Sequence, residues 1–205
     1  MTGSEILSAF ELYTDDSTEL SPTEELALAN RKYRLILGER PWEFLRKEQS
    51  TTVASSAVAL PSDFDAFMHN YTDDPTMDVP DTPVVYIGTE MSPYFLVNMG
   101  MRYGLTKQSN WCWYNPTTGN IKFQTAPTDG KAAVFDYKYR PDDITTGTSP
   151  VIPTDYQIAI VFAMLIDDEI IQKSEKARSN RLEYQVAFNE TMSQLRMRDA
   201  RYTLP

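Results

Sequence analysis

The side chains that most often carry out catalysis are scarce in this sequence. It has one histidine, His69, and one cysteine, Cys112. Serine and cysteine nucleophiles usually need a nearby histidine base, and His69 lies far from Cys112 along the chain. One cysteine also excludes an internal disulfide framework and a multi-cysteine metal site. We therefore predict that the chain is not an enzyme and has no catalytic residue, metal site or cofactor. An acidic pair brought together by folding, as in glycosidases, is the form of catalysis that the sequence leaves open.

Acidic residues form two clusters that could suggest a metal site. Asp167, Asp168 and Glu169 are consecutive, and consecutive residues of a helix point in different directions, so these three cannot converge on one ion. The second cluster lies in a loop rich in proline and aspartate. It lacks the central glycine and the terminal glutamate of a calcium-binding loop. We therefore interpret the two clusters as a solvated helix face and a protruding loop. The loop aspartates are Asp73, Asp74, Asp78 and Asp81.

Two tryptophans flank the single cysteine. In a strand, Trp111 and Trp113 face the same side, where they could form a stacking platform for sugars or bases. The same alternation is typical of a half-buried hairpin face, with Cys112 as a packed thiol on the other side. A carbohydrate- or ligand-binding module that uses the two tryptophans is our alternative prediction for the function.

The chain as a whole is acidic. It has 205 residues, 29 acidic against 19 basic side chains, and a formal net charge of −10. Such a surface repels phosphates, which argues against a dedicated nucleic-acid-binding protein. It is compatible with a surface along which DNA slides without sticking. The first residues do not resemble a signal peptide, and the longest apolar run, residues 158–166, is too short to cross a bilayer. We expect a protein that is made in a cytoplasm and does not bind a membrane.

Helical signals begin early in the chain. Ser21-Pro22-Thr23-Glu24 combines a capping serine, a first-turn proline and a glutamate that can complete a capping box. We predict a helix from this motif to about Leu37, ended by Gly38. A second short helix is predicted over residues 42–47.

The C-terminal quarter of the chain is also predicted to be helical. Thr154-Asp155-Tyr156-Gln157 predicts a second capping box before a deeply buried helix over residues 158–171. Residues 180–198 are amphipathic, and a break near residues 174–179 is left open. We predict that the apolar stripe of this last helix forms the contact between identical subunits. Its members are Tyr184, Phe188, Met192 and Leu195.

Strands are predicted between the two helical segments. Residues 51–60 and 84–88 favour extended structure, and three further strands are predicted over residues 111–114, 121–125 and 131–140. Because turn motifs separate the last three strands, we predict that they form a meander. In the last of them, one face at period two carries Ala133, Phe135, Tyr137 and Tyr139.

These elements predict an α+β fold. We expect a helical bundle, made of the early helix and two long C-terminal helices, with an inserted antiparallel β-meander or sandwich. The predicted domains are the N-terminal helices (1–50), a β-rich insertion with protruding loops (51–150), and the C-terminal helices with a docking tail (151–205). Residues 21–50 and 151–205 together form the helical domain.

Several short motifs follow one another in a recognisable order. Asn30-Arg31-Lys32-Tyr33-Arg34-Leu35-Ile36 on the early helix is followed by Pro41-Trp42-Glu43-Phe44-Leu45. Leu60-Pro61-Ser62-Asp63-Phe64 ends a predicted strand. Tyr137-Lys138-Tyr139-Arg140-Pro141 precedes Pro153-Thr154-Asp155-Tyr156. Over roughly residues 22–198, this succession resembles the head-to-tail adaptor, or connector, proteins of tailed bacteriophages.

The resemblance implies a structural role. Adaptors of this kind form a ring, usually of twelve copies, in the neck of the virion beneath the portal. The ring links the DNA-filled head to the tail and lines the DNA channel. The implied partners are identical copies, the portal protein and a tail, stopper or nozzle protein, while DNA passes through the lumen without specific binding. By position, the portal-docking residues would be Arg196, Arg198, Arg201, Tyr202, Leu204 and Pro205. The loops facing the tail would present Asp73, Asp74, Asp78, Asp81, Asn115 and Thr117.

Overall fold

The computed structural model of the chain describes residues 1–15, 18–68, 83–100 and 110–201. The chain divides into a helical unit, Met1–Phe44 with Pro141–Pro205, and a sheet unit, Leu45–Arg140. The sequence also predicts a helical unit that combines the two ends of the chain. The predicted domain limits at residues 50 and 150 stay a prediction.

In the helical unit, the described helices are arranged around one short, apolar helix. The bounds are α1 (Gly3–Thr14), α2 (Pro22–Gly38), α3 (Ile158–Leu165), α4 (Asp168–Lys173), α5 (Glu175–Ser179) and α6 (Arg181–Arg201). Helices α1, α2 and α6 all pack against α3. Ile160, Val161, Met164 and Leu165 of α3 are fully buried, which confirms the prediction of a deeply buried segment here. None of the described helices is long and apolar enough to cross a membrane.

The start of α2 confirms the predicted capping box. The Glu24 backbone N–H donates to Ser21 Oγ at 3.4 Å, and the Ser21 N–H donates to Glu24 Oε2 at 2.8 Å. Pro22 occupies the first turn and Gly38 is the last helical residue, as predicted. The two reciprocal bonds satisfy backbone donors that would otherwise lack partners at the helix start.

The second predicted capping box is wrong. Thr154–Tyr156 forms a single 3-10 turn, and α3 begins at Ile158 without a side-chain cap. Gln157 turns inward, where its Nε2 donates to the carbonyls of Pro150 (3.1 Å) and Ile152 (2.9 Å). The glutamine therefore fixes the preceding linker, because a buried amide needs partners and these carbonyls are the ones within reach.

The C-terminal segment is more interrupted than the two long helices predicted from the sequence. Helix α3 ends at Leu165, and Asp167 caps α4 by accepting from the Glu169 N–H at 3.1 Å. Ser174 has extended backbone angles, ends α4 and caps α5, so it is one break in the region that the sequence left open. Asn180 separates α5 from the long helix α6.

The sheet unit contains one large mixed sheet, so the predicted fold class is wrong. The strands are β1 (Arg46–Thr52), β2 (Ala57–Ala59), β3 (Phe64–Phe67), β4 (Val84–Ile87), β5 (Ser92–Val97), β6 (Trp111–Asn115), β7 (Asn120–Phe123) and β8 (Ala132–Tyr139). Their order is β1-β8-β4-β5-β6-β7-β2, with β3 also paired to β8. β5 and β6 are parallel and the other pairs are antiparallel. Because β1 and β2 at the two ends of this order also contact each other, the sheet is nearly barrel-shaped.

Long-range strand pairing explains why the predicted meander and the predicted short helix over residues 42–47 do not form. β6 and β7 form a hairpin, but β8 leaves β7 and pairs with β1, β3 and β4. β1 pairs with β8 along its whole length, from Arg46↔Lys138 to Thr52↔Ala132. This ladder takes Arg46 and Lys47 into a strand, and only Glu43–Leu45 makes a 3-10 turn. Tertiary pairing thus overrides a local helical signal.

The predicted inward face of β8 is confirmed. Ala133, Phe135 and Tyr137 are buried, and Tyr139 is half-buried. They belong to a sheet core that also includes Val85. The period-two pattern identified the core face correctly because it depends only on the strand's own geometry.

Candidate assembly surfaces

The adaptor-like motif on α2 holds the linker that leads to α3. Asn30 Nδ2 donates to the Ile144 carbonyl at 2.9 Å, and the Ile144 N–H donates back to Asn30 Oδ1 at 2.7 Å. The Val151 N–H donates to the Tyr33 hydroxyl at 3.2 Å, and Arg34 forms a bidentate ion pair with Asp143. The side chains of this motif therefore fix residues 143–151 against the helix.

The same motif also contacts the start of α4. Arg31 and Lys32 both form ion pairs with Asp167, at 2.8 and 2.7 Å. Burial acts to raise the pKa of Asp167, but the hydrogen bonds from Lys32 and from the Glu169 N–H, together with the charges of Lys32 and Arg31, outweigh it and lower the pKa. Asp167 is thus a structural carboxylate at a helix start.

In the sheet unit, two other adaptor-like motifs meet. The Tyr137 hydroxyl donates to Asp63 Oδ1 at 2.9 Å, and Lys47 Nζ donates to Asp63 Oδ2 at 2.7 Å. The Arg140 N–H donates to the Asp63 carbonyl at 2.7 Å, and Lys47 Nζ lies 3.9 Å from the centre of the Tyr139 ring. These contacts join the turn before β3 to the end of β8. The motif residues thus support the fold of the sheet.

We expect the Asp63 cluster to make the stability of the sheet unit depend on acidity. The hydrogen bond from Lys47 holds the pKa of Asp63 below its usual range. A lowered folded-state pKa stabilises the fold above the unfolded-state pKa, about 4. That stabilisation is lost as the pH falls through the folded-state value. Urea unfolding between pH 7 and pH 2 should show this loss.

The matched variant for this test is Asp63→Asn, which keeps the shape of the side chain and removes its titration. We expect it to be less stable than the wild type at pH 7 and to approach the wild type at low pH. If the free energies of unfolding of the two proteins changed in parallel between pH 7 and pH 2, the loss of stability would not come from the titration of Asp63.

The apolar stripe predicted as a subunit contact lies mostly inside the helical unit. Tyr184, Met192 and Leu195 are 5%, 1% and 0% exposed, and Phe188 is half-buried. The Tyr184 ring packs against Tyr13 with centroids 5.7 Å apart. In the single chain these side chains belong to the core that α6 shares with α3. A role for the stripe between copies stays a prediction, and Phe188 is its most accessible member.

The basic C-terminal residues begin inside α6 instead of in a frayed tail. Arg196 forms a 2.5 Å ion pair with Glu39, and the Arg198 guanidinium lies 5.7 Å from the centre of the Tyr156 ring. Tyr202, Leu204, Pro205 and the side chain of Arg201 lie outside the described residues. Two of the predicted docking arginines therefore have partners within the chain, and both sit in the final turns of a helix.

A cavity of about 350 Å³ lies beside this end of α6. Its walls include Phe44, Pro153 and Leu195, together with the carboxylate of Asp199. Asp199 is 3% exposed, accepts from the Glu43 N–H at 2.7 Å and lies 3.5 Å from Arg40, and burial raises its pKa. Sequence reasoning missed Asp199, because a lone aspartate near a helix end normally faces solvent. Its spacing of four residues from Leu195, on the buried stripe, was the available signal.

The predicted tail-facing loops are described only in part. Asp73, Asp74, Asp78 and Asp81 lie outside the described residues. Asn115 ends β6 and Thr117 lies in the turn that leads to β7, where the Thr117 N–H donates to Asn115 Oδ1 at 3.0 Å. Thr117 is exposed and Gly119 has a φ of 65°, so the turn projects from the end of the hairpin with a fixed conformation.

The two tryptophans lie on a half-buried face of the β6–β7 hairpin, and the cysteine between them is a packed thiol. Cys112 is fully buried, and burial raises the pKa of its thiol, so it is a packed and unreactive side chain. Trp111 and Trp113 are both half-buried, and Trp111 packs against Phe95 with centroids 5.8 Å apart. His69 lies outside the described residues. Among the residues that are described, no three His, Cys, Asp or Glu side chains are placed to hold a metal ion.

The comparisons with known proteins identify the family. The model of the SU10 adaptor protein family matches residues 1–205. The chain therefore belongs to the SU10 adaptor protein family, which confirms the resemblance to phage head-to-tail adaptors. It is a structural adaptor of a bacteriophage virion, a class of protein that is normally not enzymatic. Membership implies that it interacts with other virion proteins. No curated protein matches the chain.

Proposed function

We propose that this chain assembles as a ring beneath the phage portal and links the DNA-filled head to the tail. The observation that carries the proposal is the match of the adaptor family model over the whole chain. The long helix α6 and the projecting β6–β7 turn give the chain two kinds of surface, one in each unit. A connector needs separate contact surfaces for its two dissimilar neighbours.

In this function the ring lines the channel through which DNA leaves the head. The net charge of −10 per chain supports this role, because each added cation on a channel wall would bind phosphate and slow the passage of DNA. We propose that the lumen is lined mainly by Asp and Glu. DNA then moves past the wall without specific binding.

The end of α6 is the proposed contact with the portal. Arg196 and Arg198 lie in its last turns, and the chain continues through Arg201 to residues 202–205. Cations near the C-terminus of a helix interact favourably with its dipole and can also pair with acidic groups of a partner. The docking residues proposed are Arg196, Arg198, Arg201, Tyr202, Leu204 and Pro205.

The loops of the sheet unit are the proposed contacts with the tail, stopper or nozzle protein. The exposed turn that carries Asn115 and Thr117 is rigidly held by its own hydrogen bond. The acidic segment within residues 71–83, which the sequence predicts to be a loop, is the second proposed contact. Its contributing residues are Asp73, Asp74, Asp78 and Asp81.

A phage whose gene for this chain carries a nonsense mutation tests the function. In a non-suppressing host we expect DNA-filled heads and free tails that remain separate. Adding the purified chain to that lysate should restore joined, infectious particles. Joined particles made in the absence of the chain would contradict the proposal.

A further inference from the structure

The outer face of α6 exposes apolar side chains. Leu182, Val186 and Met197 are 78%, 48% and 56% exposed. Their spacings of four and eleven residues return to the same side of a helix, away from the stripe buried against α3. Burying such side chains is favourable because it removes apolar surface from water. This outer face therefore has the character of a contact surface.

Two carboxylates flank this apolar row. Glu183 and Glu190 are both exposed, and among the described residues neither is paired with a cation. In contrast, Arg181 at the start of α6 pairs with Asp168, and Arg196 near its end pairs with Glu39. The outer face therefore combines exposed apolar side chains with two carboxylates, so a complementary surface must be apolar and carry cations.

A groove along α2 has those properties. It measures about 770 Å³ and is open to solvent. Leu26, Ala27 and Leu35 supply its apolar lining, and Leu35 is 63% exposed. Arg31 and Arg34 also line it, with their side chains 55% and 68% exposed, and so does Asp143, the ion-pair partner of Arg34. Each arginine has one carboxylate partner and retains donors that face solvent.

We propose that the outer face of α6 in one copy of the chain packs into the α2 groove of the next copy. Identical chains of net charge −10 repel one another, so contact between them requires a place where cations of one copy meet acids of the other. The α2 groove and the α6 face meet this requirement. Two α6 faces placed together would set carboxylates against carboxylates, which disfavours that alternative.

The geometry of the contact follows from its two different surfaces. A contact between unlike surfaces is heterologous, and its repetition closes into a ring or continues as a filament. The inference rests on the proposed function for the ring, and it adds which faces join neighbouring copies. It also explains how α6 can use one stripe for the core of its own chain and another for a second copy.

Disulfide trapping tests the contact directly. Leu35→Cys and Val186→Cys are introduced into separate chains, since the native Cys112 is buried and does not interfere. We expect the mixture to form a covalent dimer under mild oxidation on the portal, and each variant alone to form none. The double variant L35C/V186C should give a ladder of covalent multimers. The control pairs V186C with Leu12→Cys, an apolar position that is 72% exposed on α1.

The outcomes separate this inference from the proposed function. A ring that assembles without a cross-link between residues 35 and 186, or an equal cross-link in the Leu12→Cys control, would overturn the inference alone. A cross-link formed by V186C with itself would do the same. Failure of the wild-type chain to form any ring on its portal would overturn the proposed function.

A charge-reversal experiment provides the second readout. We expect E183K/E190K to weaken the association of copies by about tenfold or more, because cations would then face Arg31 and Arg34. The matched control is E48K/E90K, which makes the same change in net charge at exposed positions of the sheet unit. Equal weakening by both double variants would show a net-charge effect and contradict the proposed contact.

Discussion

Removal of residues 202–205 is expected to abolish attachment of the chain to the portal while leaving its fold intact. The helix before this point is held by contacts within the chain. Arg196 pairs with Glu39, and Asp199 accepts from the Glu43 N–H. These contacts survive truncation after Arg201. Because several weak contacts of a short tail act together in each copy of a ring, their joint loss removes the gain from multivalency.

Co-sedimentation with purified portal measures the loss of attachment, and thermal unfolding measures the fold. The control replaces residues 202–205 by a Gly/Ser segment of the same length, which keeps the chain length and removes the side chains. We expect both variants to unfold as the wild type does and to fail in attachment. Attachment of the truncated chain at wild-type affinity would contradict the docking role of the tail.

A longer truncation, of residues 196–205, should behave differently. It removes Asp199, which is 3% exposed, and the partners of both Glu39 and the Glu43 N–H. We therefore expect this truncation to lower stability as well as attachment. Only the deletion of residues 202–205 therefore tests attachment to the portal without also changing the stability of the fold.

Replacing Trp42 with alanine is expected to lower the free energy of unfolding by about 3–5 kcal/mol. Trp42 is fully buried, its Nε1–H donates to the Ile36 carbonyl at 2.8 Å, and its ring stacks on Phe44 with centroids 5.5 Å apart. The substitution removes the largest fully buried side chain among the described residues of the helical unit and leaves a cavity. It also removes one of the two hydrogen bonds to the Ile36 carbonyl, which still accepts from the Glu39 N–H at 3.3 Å. Urea unfolding followed by circular dichroism measures the change.

Two further variants show which part of Trp42 matters. Trp42→Phe keeps most of the apolar volume and loses the hydrogen bond, so we expect a loss smaller than that of Trp42→Ala. Trp113→Ala removes a tryptophan that is only half-buried, and it should also cost less than Trp42→Ala. If Trp42→Ala and Trp113→Ala were equally destabilising, Trp42 would not have the central packing role assigned to it.

Local features of the fold could be predicted from the sequence because their causes are local. The start of α2 depends on Ser21, Pro22 and Glu24, which are neighbours in the chain. The buried face of β8 depends on alternation within that strand, and the burial of α3 depends on its continuous apolar composition. In each case the residues that determine the element lie inside it or at its edge.

The sheet order and the candidate contact surfaces could not be predicted, because distant residues determine them. Arg46–Thr52 becomes a strand only because β8, far along the chain, pairs with it. Asn30 donates a hydrogen bond to the Ile144 carbonyl, and Asp63 accepts one from the Tyr137 hydroxyl. The residues of each pair are far apart in the chain, and no spacing rule predicts that they meet. The stripe containing Tyr184 has the amphipathic pattern of either a core or an interface. Only tertiary packing shows that it faces the chain's own core.

Electron microscopy of the purified chain mixed with its own phage's portal tests the central claim most directly. The proposed function predicts that the chain adds one ring to the tail-facing end of the portal, with a continuous channel along the common axis. Portal particles without added density, or with isolated copies bound and no closed ring, would contradict it.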